Sequence, residues 1–269
     1  HIRSQIPGNP AIAGVYPLSP MQKGMLYHAL AAPGQDVYYT QTQFHLEGAI
    51  DKDLLAAAFN TLIQRYDILR TIFIYEGVGE PLQVVLDHRR VQVNYDDITT
   101  LSPSEQTQYL ENAIKKDKRQ EFDLSKDSLL RLTLYREGER KHRLLWSIHH
   151  ILMDGWCLGI IYRELVHIYG RLKEGRPIEL PEVVPYKDYI FWQEAQDKAA
   201  GYAYWEEYLA GYEQQAVIPM TLSGAAPEKT GEPESLAPRE ILVELSAAET
   251  RELNRMAAAH RVTLNTLFQ

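Results

Sequence analysis

Two adjacent histidines, then an aspartate and a glycine, stand in the stretch His149-His150-Ile151-Leu152-Met153-Asp154-Gly155. Histidine is the side chain best suited to moving a proton near neutral pH. The preceding run, Leu144-Leu145-Trp146-Ser147-Ile148, reads as a strand. Side chains alternate along a strand, so His149 and His150 are expected on opposite faces, one toward a cleft and one packed inside. Asp154 follows once the chain has turned, where it can brace the turn or an imidazole. Two readings follow. One is a single acid–base histidine positioned by a carboxylate. The other is a pair of strand histidines satisfied by backbone carbonyls, with Asp-Gly as an ordinary turn. A metal site is not expected, because adjacent strand histidines diverge and no third ligand has suitable spacing.

The elements that must position these residues lie on either side. Gly138 turns a strand over Leu129–Tyr135 into the Arg143–Ile148 strand, making a hairpin that ends at the double histidine. A helix from Cys157 to about Leu172 follows, with Ile160, Ile161, Leu165, Ile168 and Tyr169 inward. Its N-terminus points back at the Asp154-Gly155 turn. Free amide donors and the positive dipole end therefore lie near the histidines, where they suit charge developing on a carbonyl oxygen.

Earlier in the chain, Ser19-Pro20-Met21-Gln22 has the form of a helix start closed by a capping box. His28 in that helix is read as structural. Tyr38 to Leu46 alternates as a strand, and Asp51 caps a helix running to about Tyr66. Strands are expected near Thr71–Tyr75, Pro81–Leu86 and Val91–Tyr95, and a capping box at Ser102–Glu105 opens another helix. Further on, Tyr186 to Gln193 opens a helix, and Tyr202, Tyr204, Trp205 and Tyr208 continue the helical pattern as an aromatic packing stripe. A strand is expected over Glu240–Leu245, then a capping box at Ser246–Glu249, then a helix capped by Thr263.

The chain has 269 residues, 45% hydrophobic, enough to bury a substantial core. Its formal charge is −8, and no basic block is present, which argues against nucleic acid as a partner. The single cysteine, Cys157, excludes an intrachain disulfide and a cysteine-rich metal site, and suits a reducing cytoplasm. No apolar run approaches the ~20 residues of a membrane span, so no membrane partner is expected. Residues 1–15 read as an N-terminal linker, 16–210 as a first lobe, 211–238 as a Gly/Pro-rich connection, and 239–269 as the interrupted start of a second lobe.

The HHxxxDG string arises by chance in roughly one chain in a thousand of this length. It resembles the signature of condensation domains from nonribosomal peptide synthetases. Four further segments are similar to that family in the same order. These are Leu18-Ser19-Pro20-Met21-Gln22-Lys23-Gly24-Met25-Leu26-Tyr27-His28, Arg65-Tyr66-Asp67-Ile68-Leu69-Arg70-Thr71-Ile72-Phe73, Glu121-Phe122-Asp123-Leu124 and Tyr186-Lys187-Asp188-Tyr189-Ile190-Phe191-Trp192-Gln193. Tyr66 and Asp67 replace the family's usual His and Glu, and Ser128 stands where proline is usual.

The resemblance implies an α/β, chloramphenicol-acetyltransferase-like two-layer sandwich, a mixed β-sheet with helices packed on it. It implies amide-bond formation between thioesters carried on the 4'-phosphopantetheine arms of partner carrier domains, with no cofactor or metal bound by the chain itself. His150 is then expected at the attacking amine, as general base or as positioning group, with the Gly155 amide as oxyanion donor. His149, Asp154 and Trp156 are expected to shape the site. Arg65, or failing that Arg70, is expected to pair with Asp154. Implied partners are upstream and downstream peptidyl carrier domains, an adjacent adenylation domain and a second condensation lobe. The HHxxxDG surroundings also resemble the subtype that takes a D-configured donor. An epimerisation domain, a coenzyme A-dependent acyltransferase and a non-catalytic docking lobe are the competing readings.

Overall fold

The structure, a computed structural model, describes residues 2–31, 38–214 and 242–269. These fall into two compact units, residues 1–208 and 209–269.

The first unit carries two sheets. One has three antiparallel strands in the order β1-β4-β3, with β1 at Ile12–Pro17, β3 at Thr71–Ile74 and β4 at Leu82–Leu86. The other has the order β2-β7-β6-β5, with β2 at Tyr39–Glu47, β5 at Val93–Asp97, β6 at Leu130–Arg136 and β7 at Lys141–His149. β5 and β6 run parallel, whereas β7 is antiparallel to both its neighbours, so this second sheet is mixed. A parallel pair needs a crossover, and α4, Pro103–Lys118, lies between its strands in sequence. The α/β class read from the sequence holds, but the strands form two sheets rather than one.

A one-turn helix, α1, spans Ile2–Gln5, and the helix starts after it follow local chemistry. The α2 helix, Pro20–Ala31, opens on the Ser19–Gln22 capping box, in which the Gln22 amide donates to Ser19 Oγ (3.2 Å) and the Ser19 amide to Gln22 Oε1 (2.9 Å). Asp51 caps α3, Lys52–Arg65, by accepting from the Asp53 and Leu54 amides. The Ser102–Glu105 box opens α4.

The hairpin strand β7 shows why the sheet orders the site. Leu144, Trp146 and Ile148 face the main core, which is filled from the other side by Phe59, Leu62 and Ile63 of α3 and by Ile161, Leu165 and Ile168 of α5, Gly155–Lys173. Leu145 faces the other way, into a smaller cluster with Leu110 of α4. Ser147 and His149 share that second face by strand alternation.

Some expectations need correction. Residues 1–15 are not simply a linker: Ile12 to Pro17 pair with β4, and Ile6 is buried against Ile72 and Val84. Their Pro and Gly content masked a strand that is stabilised by a distant partner. The aromatic stripe on α7, Lys198–Tyr208, is not core packing among the described residues, since Tyr202, Tyr204, Trp205 and Tyr208 are each more than half exposed, and Tyr204, Trp205 and Tyr208 meet ring to ring. The helix α6, Tyr186–Glu194, by contrast buries Ile190 against Tyr16 and Val85.

In the second unit, α8, Ala247–Ala259, starts on the Ser246–Glu249 capping box, and Thr263 caps α9, Leu264–Phe268. Residues 242–245 form no strand, and positions 240 and 241 of the expected strand lie outside the described residues, as do positions 215–238 of the expected connection. Among the described residues no helix is long and apolar enough to cross a membrane.

Candidate functional site

The end of β7 separates the two histidines. His149 is the last strand residue and is 1% exposed, whereas His150 begins the turn and is half-buried. The His149 amide donates to Leu129 O (3.0 Å) and the His150 amide to Tyr38 O (2.7 Å), so both neighbouring strands hold the tip. The His149 ring packs against Tyr38 and Phe122, with centroids 6.4 and 6.5 Å away. Its Nδ1 accepts from the Ile151 amide at 3.1 Å, which places the ring proton of the neutral form on Nε2. Burial, with a smaller contribution from His150, pushes its pKa down to about 4. His149 is thus neutral and enclosed, whereas His150 is half-buried and keeps some exposure.

Beneath this tip, on the same face of the sheet, lies a polar cluster. Asp117 at the end of α4 accepts hydrogen bonds from Tyr39 Oη and Ser147 Oγ, from Gln41 Nε2 at 2.8 Å and from Arg131 Nε at 2.9 Å. These donors hold its carboxyl below the usual carboxylate range, against the opposing effect of burial. The cluster joins α4 to β2, β6 and β7 one pleat below His149. Neither Asp117 nor Tyr39 was singled out from the sequence, because the residues involved are far apart in the chain.

Beyond His150 the chain turns tightly. The Leu152 amide donates to His149 O and the Met153 amide to His150 O, each at 3.2 Å. Ile151, Leu152 and Met153 are all buried, which anchors the turn in the main core. Asp154 emerges exposed as the N-cap of α5 and accepts from the Trp156 amide (3.0 Å) and the Cys157 amide (3.2 Å). Those bonds hold its carboxyl below the usual range.

The pairing expected between Asp154 and an arginine is not formed. Arg65 instead makes a two-pronged ion pair with Glu164 of α5, with Nε–Oε2 at 2.9 Å and Nη2–Oε1 at 3.3 Å, and also donates to Pro181 O. Arg70 is buried; it donates to Asp67 Oδ1 (2.5 Å) and to the carbonyls of Leu86, Ile63 and Gln64. Both arginines therefore lock helices and strands behind the site. Glu164 was missed in the sequence, where Ile160 was taken as inward; Ile160 is exposed and Glu164 is 7% exposed. An acidic residue amid Ile161, Leu165 and Ile168 on one helix face was the available signal for a buried partner.

Gly155 is the first residue of α5, and its amide belongs to the set of first-turn donors that have no intrahelical acceptor. Asp154 takes two of those donors, and the Gly155 amide has no hydrogen bond among the described residues. Gly155 is not held at positive φ, and a Cβ built on it meets no atom within 4 Å. Trp156 is 88% exposed and forms no part of the core. A half-buried histidine and a first-turn helix amide thus flank the same buried turn. That combination suits transfer of a proton beside a carbonyl whose oxygen gains charge.

Comparison with known proteins identifies the family and the fold. The family model described as Condensation domain matches residues 12–269. Over 96% of its length the chain is 43% identical to bacitracin synthase 3 of Bacillus licheniformis, and 40% identical to surfactin synthase subunit 3 of Bacillus subtilis and to gramicidin S synthase 2 of Brevibacillus brevis. It spans only 4%, 20% and 6% of those proteins, respectively. Among solved structures, the first condensation domain of the calcium-dependent antibiotic synthetase superposes with a TM-score of 0.76 at 19% identity, over 94% of this chain and 58% of that one. The starter condensation domain of the rhizomide synthetase gives 0.65 at 22% identity, over 76% of this chain and 52% of that one. These two likenesses establish the fold, and with the family match and the identity to the three synthases they carry one conclusion: the chain belongs to the condensation-domain family.

Proposed function

We propose that this chain supplies the histidine-bearing half of a site that forms amide bonds in nonribosomal peptide synthesis. The donor is an acyl or peptidyl thioester and the acceptor an aminoacyl thioester, each on the phosphopantetheine arm of a carrier domain. The acceptor amine attacks the donor carbonyl, a C–N bond forms, and the C–S bond breaks. The departing thiolate of the donor arm takes up the proton that the amine loses. On this reading His150 holds or relays that proton, and the Gly155 amide donates to the carbonyl oxygen as charge develops there. Holding two thioester arms in line supplies much of the rate. The supporting observation is the contrast at the end of β7: His149 neutral and enclosed, His150 half-buried.

The upstream and downstream carriers, an adjacent adenylation domain and a second lobe are the partners this reading requires. Preference for a D-configured donor is the finer part of the proposal. Epimerisation of the donor, and carrier docking without catalysis, are the readings it competes with. The test places this chain in a module with both carriers, loads the upstream one with a D- or L-configured donor, and follows the downstream carrier by mass spectrometry. Dipeptide that forms faster with the D donor and is lost with His150→Ala supports the proposal. Inverted donor without transfer points to epimerisation. Carrier binding with no dipeptide, unchanged by His150→Ala, points to docking alone.

A further inference from the structure

The segment at the start of α2 enters no step above, yet one of its side chains reaches the histidine turn. Gln22 is 4% exposed and Gln83, in the middle of β4, is 0% exposed. Their amides pair reciprocally: Gln22 Nε2 donates to Gln83 Oε1 at 3.3 Å, and Gln83 Nε2 donates to Gln22 Oε1 at 3.1 Å. The second hydrogen of Gln22 Nε2 goes to the Ile151 carbonyl at 3.2 Å, and that of Gln83 Nε2 to the Pro17 carbonyl at 2.7 Å. Gln22 Oε1 also accepts from the Ser19 amide at 2.9 Å. Both hydrogens and both lone pairs of the Gln22 amide are thereby used.

Ile151 directly follows His150. Gln22 thus reaches the histidine turn from another element of the fold, by a hydrogen bond to the residue after His150. Asp154 is occupied by its own helix, and the arginines bind elsewhere. We infer that Gln22, held in one orientation by Gln83, is a positioning residue that sets the place of the His150 imidazole through the Ile151 carbonyl. A buried amide network with every group satisfied has one low-energy arrangement, so it can fix a turn more sharply than apolar packing does. This role in amide formation rests on the function proposed above, whereas the geometric claim does not.

The experiment compares Gln22→Glu with Gln83→Met in the full chain. Gln22→Glu keeps the shape and the acceptor for Ser19 but, ionised, has no donor for Ile151. Gln83→Met removes the reciprocal pair and leaves Gln22 able to reach Ile151. Carbonyl-labelled Ile151 and ring-labelled histidine are read by NMR, and dipeptide kinetics are read in the carrier-bearing module. Expected for Gln22→Glu are displaced Ile151 and His150 resonances and a kcat at least about tenfold lower at unchanged KM for both carriers. Gln83→Met should move both resonances less. If ionisation of Gln22→Glu prevents folding, Gln22→Met takes its place. An unmoved His150 resonance in a folded Gln22 variant overturns the inference. Absence of dipeptide from the unaltered module refutes the proposed function, while the NMR comparison still decides the positioning claim.

Discussion

The Arg65–Glu164 pair offers a quantitative check on how this site is braced. Its side chains are only 17% and 10% exposed, and two N–H···O contacts join them. Opposite charges about 4 Å apart attract by about 4 kcal/mol at an effective dielectric near 20, before desolvation is subtracted. Truncating either partner leaves the other charge half-enclosed and should lower stability by about 3 kcal/mol. Truncating both should fall short of the sum by about 2 kcal/mol. Asp154→Ala removes only an exposed cap and should lower stability by about 1 kcal/mol, and Asp154→Asn by a few tenths. A double-mutant cycle between Arg65→Ala and Asp154→Ala should be additive within about 0.5 kcal/mol. Urea unfolding of the six variants and the parent, followed by near-ultraviolet circular dichroism, measures all of these terms. A coupling above about 1 kcal/mol between Arg65 and Asp154, together with additivity between Arg65 and Glu164, would refute the bracing scheme drawn here.

Three other outcomes follow from the same geometry. His149 has a folded-state pKa of about 4 against an unfolded value near 6.5. As pH falls, the unfolded chain takes up this proton first, so stability should drop by about 3 kcal/mol between pH 6.5 and 4 and owe nothing to this group above pH 7. Urea midpoints across that range should lose most of the slope in His149→Asn. Arg70→Lys should lower stability by about 3 kcal/mol in the same unfolding assay, because a single ammonium cannot serve Asp67 and three separate carbonyls. Gly155→Pro keeps a residue suited to the first helical position but deletes the amide hydrogen. Its melting temperature should stay near that of the parent, while dipeptide formation in the module falls by about 10²-fold or more if that amide donates to the oxyanion.

What the sequence made legible was local. The boxes at Ser19–Gln22, Ser102–Glu105 and Ser246–Glu249 each lie within one turn of chain, and all three open helices. The alternation through Leu144–His149 marked His149 as the packed histidine, and it is buried while His150 is half-buried. What stayed hidden was long-range partner choice. Nothing near Arg65 in sequence marks Glu164, and a glutamine within Leu82–Leu86 gives no hint that it meets Gln22. The strand at Ile12–Pro17 was lost among Pro7, Gly8, Pro10 and Gly14, because its stability comes from β4 rather than from its own propensities. Asp154 was assigned a distant arginine although its position immediately before a helix already suited it to capping.

The register of β2 on β7 runs from Tyr39 opposite His149 to Glu47 opposite Lys141, joining segments roughly a hundred residues apart. Closing so long a loop is slow, so the histidine tip is expected among the last parts of the sheet to form. Parity is at stake in that step. A slip of one residue would turn His150 inward and His149 outward, exchanging an enclosed neutral ring for the one meant to meet substrate. The ladder of hydrogen bonds alone would hardly resist such an error, and the secondary-structure content would be unchanged. Ser147 distinguishes the two outcomes, because only the correct parity brings its hydroxyl to Asp117 and Tyr39. The hydrogen bonds of Ser147 under the tip are thus compatible with one parity of β7 only, the one in which His149 is the enclosed ring.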